Sequence, residues 1–99
     1  MKTRDTYKRQ ARLFKALANE SRLLIIERLS HGEATAGELT ALVGTDASTV
    51  SKHLSLLRAA GIVEDRRAGA LVYYRLLTPC VMNFFVCIDQ VLDQGETGQ

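Results

Sequence analysis

The sequence predicts a mainly α domain of five helices carrying one small two-stranded β-hairpin. Three observations support this fold class. Apolar residues recur at helical spacing in five stretches, most of them closed by capping residues or glycine. Two β-rich runs, 62–67 and 71–76, flank the short loop Ala68-Gly69-Ala70. A short helix, a glycine turn and a longer helix stand immediately before that hairpin. With 99 residues, 46% of them hydrophobic, and a single proline, residues 1–99 read as one domain.

The first helix covers 5–18, where Tyr7, Phe14, Leu17 and Ala18 form an apolar stripe between basic residues. Asn19 is an N-cap for a second helix over 20–29, and Gly32 fits its C-terminal stop just after His31. The third helix is short, 37–43, and stops at Gly44; Thr45-Asp46 supplies a turn and an N-cap. The fourth, 47–60, points Val50, Leu54 and Leu57 inward and Ser48, Ser51, Lys52 and Ser55 outward. Gly61 ends it, and the hairpin follows. Thr78-Pro79 reads as an N-cap with proline at the first helical position. The last helix is expected over 79–93, with a frayed tail from Gly95 onward.

A chain this short buries only about 60–65% of its unfolded surface, which favours oligomerisation. No window approaches the roughly 18–20 apolar residues of a membrane span, and the polar N-terminus does not read as a secretory signal. A cytoplasmic protein is the expectation. The net charge of +2 is unevenly spread. Lys2, Arg4, Lys8, Arg9, Arg12 and Lys15 crowd the first fifteen residues against Asp5 alone, whereas 76–99 hold no basic residue. Such blocks suit a polyanion-binding face or a solvated helix surface.

The order of elements specifies a winged helix-turn-helix: 37–60 the helix-turn-helix, 62–76 the wing, 79–93 a dimerisation and sensor helix. Ser48, Thr49, Ser51, Lys52 and His53 on the fourth helix are candidate contacts to phosphates and base edges in a major groove. Arg66, Arg67 and Arg75 put positive charge on the hairpin, within reach of the backbone. Double-stranded DNA is therefore the expected partner, and no cofactor is needed to bind it. A winged helix used only for protein contacts is the rival. An enzyme is not expected, because no nucleophile–base motif, phosphate loop or carboxylate pair is present.

The segments Leu13-Phe14-Lys15-Ala16-Leu17-Ala18-Asn19-Glu20-Ser21-Arg22-Leu23 and Ser48-Thr49-Val50-Ser51-Lys52-His53-Leu54 carry a family likeness. With Leu57-Arg58-Ala59-Ala60-Gly61-Ile62-Val63 and Val72-Tyr73-Tyr74-Arg75-Leu76, the chain over 13–76 resembles the ArsR/SmtB family of bacterial winged-helix repressors. The resemblance implies a homodimer joined by its first and last helices. It also implies an operator that is an imperfect inverted repeat, and release from it by an inducer.

Two sensor patterns of that family are absent. Thr35-Ala36-Gly37 stand where a Cys-Val-Cys motif is familiar, and no histidine follows His53 to complete a last-helix site. His31 and His53 are too few and too scattered for a zinc site. Cys80 and Cys87 remain, seven residues apart on one stripe with Phe84 and Val91. They lie roughly 10 Å apart along one helix, too far for one ion or one disulfide. In an antiparallel pair of last helices, Cys80 of one subunit faces Cys87 of the other. Cys80 is expected in the first helical turn, where free N–H groups favour the reactive thiolate, while Cys87 also fits a small buried hydrophobe. Trivalent arsenic is the first expected inducer, with hydroxide or a bound thiol completing its shell. Another thiophilic ion, and oxidation or reactive sulfur chemistry, are the alternatives.

Overall fold

The computed structural model describes residues 2–97. The chain runs α1 (Arg4–Leu17), α2 (Glu20–Leu29), β1 (Ala34–Thr35), α3 (Ala36–Val43), α4 (Ala47–Ala59), β2 (Val63–Ala68), β3 (Leu71–Leu76) and α5 (Val81–Thr97). Five helices and a two-stranded wing are present as expected, in the winged helix-turn-helix order. One feature is additional: β1 pairs antiparallel with β3 and extends the sheet to three strands, in the order β1-β3-β2.

Local chemistry explains most boundaries. The Asn19 side chain accepts from the backbone N–H groups of Ser21 and Arg22, which starts α2. Thr35 and Glu38 form a reciprocal capping box at α3: Glu38 N–H donates to the Thr35 hydroxyl at 3.1 Å, and Thr35 N–H to the Glu38 carboxylate at 3.0 Å. Those bonds, from the Thr35 backbone first and its side chain second, hold the Glu38 carboxyl below its ordinary 4.5. A lowered acid contributes fully above its unfolded value, so this contribution fades as pH falls below about 4.5. Thr35→Ala is expected to remove about 1 kcal/mol of stability at neutral pH, read as a lower urea midpoint at unchanged m-value. Gly44 ends α3 in the left-handed region (φ 79°), its N–H donating to the Thr40 carbonyl, and so lets the chain turn at once into α4.

The wing loop is shorter than expected. Ala68 pairs with Leu71, which leaves only Gly69 and Ala70 in the turn, with positive φ at Gly69 alone. That pattern fits a type II′ hairpin. The last helix also departs from expectation. It begins at Val81 rather than Pro79 and continues to Thr97 rather than ending near Asp93, so the tail expected to fray from Gly95 is helical through Thr97. Its entry is a tight turn in which Val81, Met82 and Asn83 donate three residues back, to Thr78, Pro79 and Cys80. The α-ladder starts only after that turn.

The core collects one face of each central element: Ile25, Ile26 and Leu29 of α2, Leu39 of α3, Val50, Leu54 and Leu57 of α4, with Ile62 and Val63. Leu17 and Val81 are the buried contributions of α1 and α5. Much of the remaining apolar surface of those two helices faces outward: Phe14 and Phe84 are each 48% exposed, Leu92 58% and Val91 59%. The radius of gyration is 15.2 Å, larger than the roughly 13 Å of a compact domain of 100 residues. Among the described residues, no helix is long and apolar enough to cross a membrane.

Candidate DNA interface and thiol site

Helix α4 is anchored by Val50, Leu54 and Leu57, which are buried, so its opposite face is fixed in solvent. Ser48, Ser51 and Lys52 are exposed there, and Thr49 is half-buried at its edge. Asp46 has the extended backbone of an N-cap but makes no side-chain cap bond. The neighbouring Thr49 hydroxyl, and more weakly the Lys52 charge, hold its carboxyl below the ordinary range. His53 differs from its neighbours. It is half-buried, and its Nδ1 lies 3.1 Å from Nη1 of Arg22 on α2.

Register separates the three wing arginines. Opposite residues in an antiparallel pair share a face. Glu64↔Arg75 and Arg66↔Tyr73 therefore lie on one side of the hairpin, and Asp65↔Tyr74 and Arg67↔Val72 on the other. On the first side Arg75 is ion-paired with Glu64. Arg66 bonds Glu33 at 3.0 Å and covers the Tyr73 ring at 4.7 Å. On the second side Asp65 reaches Arg58 of α4 at 3.1 Å, so this face looks toward the fourth helix. Burial, and then the Asp65 charge, raise the Tyr74 hydroxyl above its ordinary 10.0. Arg67 shares this face, exposed and without an ion pair among the described residues.

The acidic partners of the wing are not among the residues that the sequence singles out. Glu64 is recoverable from it, because a turn at 69–70 forces it opposite Arg75. Glu33 is not: its reach to Arg66 spans 33 positions and depends on the unforeseen β1.

Both cysteines are free and exposed. Cys80 sits in the tight turn ahead of α5, not in its first α-helical turn, which corrects the placement read from Thr78-Pro79. Cys87 is exposed in the single chain rather than packed as a small core residue. Among the described residues, no three His, Cys, Asp or Glu side chains are grouped to hold a metal ion. Beside the thiol helix, α1, α2 and α5 enclose an open apolar groove of about 610 Å³, lined by Phe14, Leu17, Leu24, Phe84, Ile88 and Leu92. Phe14 and Phe84 meet edge to face across it, ring centroids 5.3 Å apart.

Comparison with known proteins agrees with this architecture. The family described as "Bacterial regulatory protein, arsR family" matches residues 19–65. The HTH-type transcriptional regulator Rv0081 of Mycobacterium tuberculosis is 34% identical over 93 residues, which cover 93% of this chain and 82% of that protein. The chain belongs to the arsR family of bacterial regulatory proteins. The crystal structure of Rv0081 superposes with a TM-score of 0.85 at 32% identity, covering 97% of each chain. The solution structure of the homodimeric winged helix-turn-helix DNA-binding domain of Mb0332 from Mycobacterium bovis gives 0.80 at 32% identity, covering 100% of this chain and 94% of that one. Not every relative has the same extent. Rv0324 of M. tuberculosis is 37% identical over 84 residues, which are 85% of this chain but only 37% of that regulator.

Proposed function

We propose that this arsR-family chain is a cytoplasmic, sequence-specific transcriptional repressor that binds operator DNA as a homodimer. The observation that carries the reading is the exposed polar row Ser48, Ser51 and Lys52 on α4, flanked by the uncompensated Arg67 on the wing face toward α4. Short hydroxyls and a flexible cation suit base edges and phosphates in a major groove. Arg67 is placed for the adjoining backbone. The exposed apolar sides of α1 and α5 supply the self-association surface. A two-fold dimer presents two copies of α4 about one DNA turn apart, and so calls for an imperfect inverted repeat.

The pairing pattern ranks the wing residues. Arg67→Ala is expected to lower both affinity and the dependence of log K on log salt, the slope dropping by about 0.9 for each phosphate no longer neutralised. Arg66→Ala and Arg75→Ala, whose charges already meet Glu33 and Glu64, are expected to change the slope much less. Salt titrations of the three variants on one duplex check this ranking.

Release is assigned to an inducer acting on Cys80 and Cys87, with trivalent arsenic first. Two thiols displace two hydroxides from arsenous acid as two waters, and the third hydroxide completes the shell. Within one chain the thiols are too far apart, so the reading requires Cys80 of one subunit and Cys87 of the other. A thiol-redox or reactive-sulfur trigger is the second reading. It is favoured by the exposure of both thiols, since a disulfide or polysulfide link needs no third ligand. In either case the link between α5 helices biases the dimer toward a pose that fits DNA poorly, and a coupling of about 3 kcal/mol weakens binding roughly a hundredfold.

The test uses a duplex enriched by the wild-type protein from a random-sequence library. Its anisotropy is followed with wild type, Cys80→Ser and Cys87→Ser, each with arsenite, zinc or a polysulfide. Release of wild type by arsenite alone, abolished in both variants, supports the first reading; release by polysulfide alone supports the second. Release that survives both substitutions removes the thiols from the mechanism.

A further inference from the structure

The Arg22 guanidinium, near the start of α2, reaches two other helices. Its Nε donates to the Ala16 carbonyl at 2.7 Å and its Nη2 to the Lys15 carbonyl at 3.4 Å, both in the last turn of α1. Its Nη1 faces Nδ1 of His53 on α4 at 3.1 Å. The last four carbonyls of a helix have no partner within it and carry partial negative charge. A planar guanidinium fork can satisfy two of them and still extend a third donor. Because that group only donates, the contact requires a lone pair on His53 Nδ1 and places the imidazole proton on Nε2.

The other side of this junction leads to the thiol helix. Phe14, one position before Lys15, meets Phe84 at 5.3 Å, and Phe84 lies between Cys80 and Cys87 in the chain. Contacts thus run from α5 through Phe84 and Phe14 to the end of α1, then through Arg22 to His53 on α4. Thirty-one positions separate Arg22 from His53, and among the described residues no other side-chain hydrogen bond joins α4 to α2.

We infer that Arg22 and His53 are positioning residues. They fix the pose of α4 against the end of α1, and they carry displacements of α5 and α1 to the DNA-reading face. With its Nδ1 taken up by Arg22, His53 positions α4, a role other than the DNA contact expected from its place in the sequence. The link itself stands on the geometry of the single chain; its role in transmission rests on the repressor reading proposed above.

Two measurements test the inference. On the enriched duplex, Arg22→Gln is expected to weaken binding about tenfold. Its salt slope is expected to match wild type, whereas removing a phosphate contact lowers the slope by about 0.9. His53→Asn keeps an acceptor close to the Nδ1 position and is expected to stay within about twofold of wild type, while His53→Ala weakens binding as Arg22→Gln does. The double variant Arg22→Gln/His53→Ala is expected to be no weaker than either single variant. A reduced slope in Arg22→Gln, or additive losses in the double variant, overturns the inference. Independently of DNA, imidazole ¹⁵N spectra of the free protein are expected to show the His53 proton on Nε2 in wild type, and a redistribution in Arg22→Gln. A wild-type proton on Nδ1 overturns the link. If no duplex is enriched, the repressor reading fails, and the spectra alone decide whether Arg22 holds His53.

Discussion

Phe84→Glu is expected to convert the protein from dimer to monomer at micromolar concentration, with the winged fold retained. Phe84 is 48% exposed in the single chain, so much of its surface is available for a second copy. It sits on α5 among Ile88, Val91 and Leu92, which are also exposed, and opposite Phe14 of α1. Burying a phenylalanine at a well-packed interface centre contributes about 2 kcal/mol or more, and forcing a carboxylate there adds a desolvation cost. The dimer dissociation constant is therefore expected to rise at least about a hundredfold, as a loss near 2.8 kcal/mol per dimer requires. Within the chain, removing the edge-to-face pairing with Phe14 costs only about 0.5–1.5 kcal/mol, which keeps unfolding separate from dissociation. Sedimentation velocity gives the association state, and circular dichroism the fold. A folded Phe84→Glu protein that remains dimeric places the interface elsewhere.

Lys52→Glu is expected to weaken duplex binding at least about a hundredfold without changing stability by more than about 0.5 kcal/mol. The side chain lies on the exposed face of α4 and makes no ion pair closer than 4 Å among the described residues. Reversal removes a cation and sets a carboxylate against phosphate, and the two-fold symmetry doubles the effect per complex. Lys52→Ala is the milder control, expected to lose affinity together with part of the salt slope. A Lys52→Glu protein that binds the enriched duplex like wild type removes α4 from the contact surface.

Much of this architecture is written in local sequence. The α4 stripe Val50, Leu54 and Leu57 is buried as its spacing requires, and Asn19 caps α2 through its own side chain. The chain also holds misleading local signals. Thr78-Pro79 has the composition of a helix start, yet three i→i−3 bonds make a tight turn there and α5 begins at Val81. The two residues of β1 have no periodicity of their own; they form a strand only because Ala34 and Thr35 find Tyr74 and Tyr73 on β3. Charge is legible in the sequence but its use is not. Arg66, Arg67 and Arg75 look alike in the chain; the hairpin register sets Arg75 opposite Glu64, and only the packed fold brings Arg66 to Glu33. The pairing of Arg22 with His53 gives no signal at all, because it exists only once three helices are packed.

If a dimer of this chain grips duplex DNA through α4 and the wing, its binding must release counterions from the phosphates that Lys52 and Arg67 neutralise. The most direct test is the affinity of the wild-type protein for its enriched duplex, measured from about 50 to 200 mM salt. Six phosphate contacts per dimer, from Lys52, Arg67 and one hydroxyl donor on each subunit, would make log K fall linearly with log salt. The cationic four of those six correspond to a slope of about −3.6. A slope near −3.6, between about −3 and −4, is the expected result. Binding that is absent at low salt with every duplex, or that does not change with salt, means that α4 and the wing do not grip DNA.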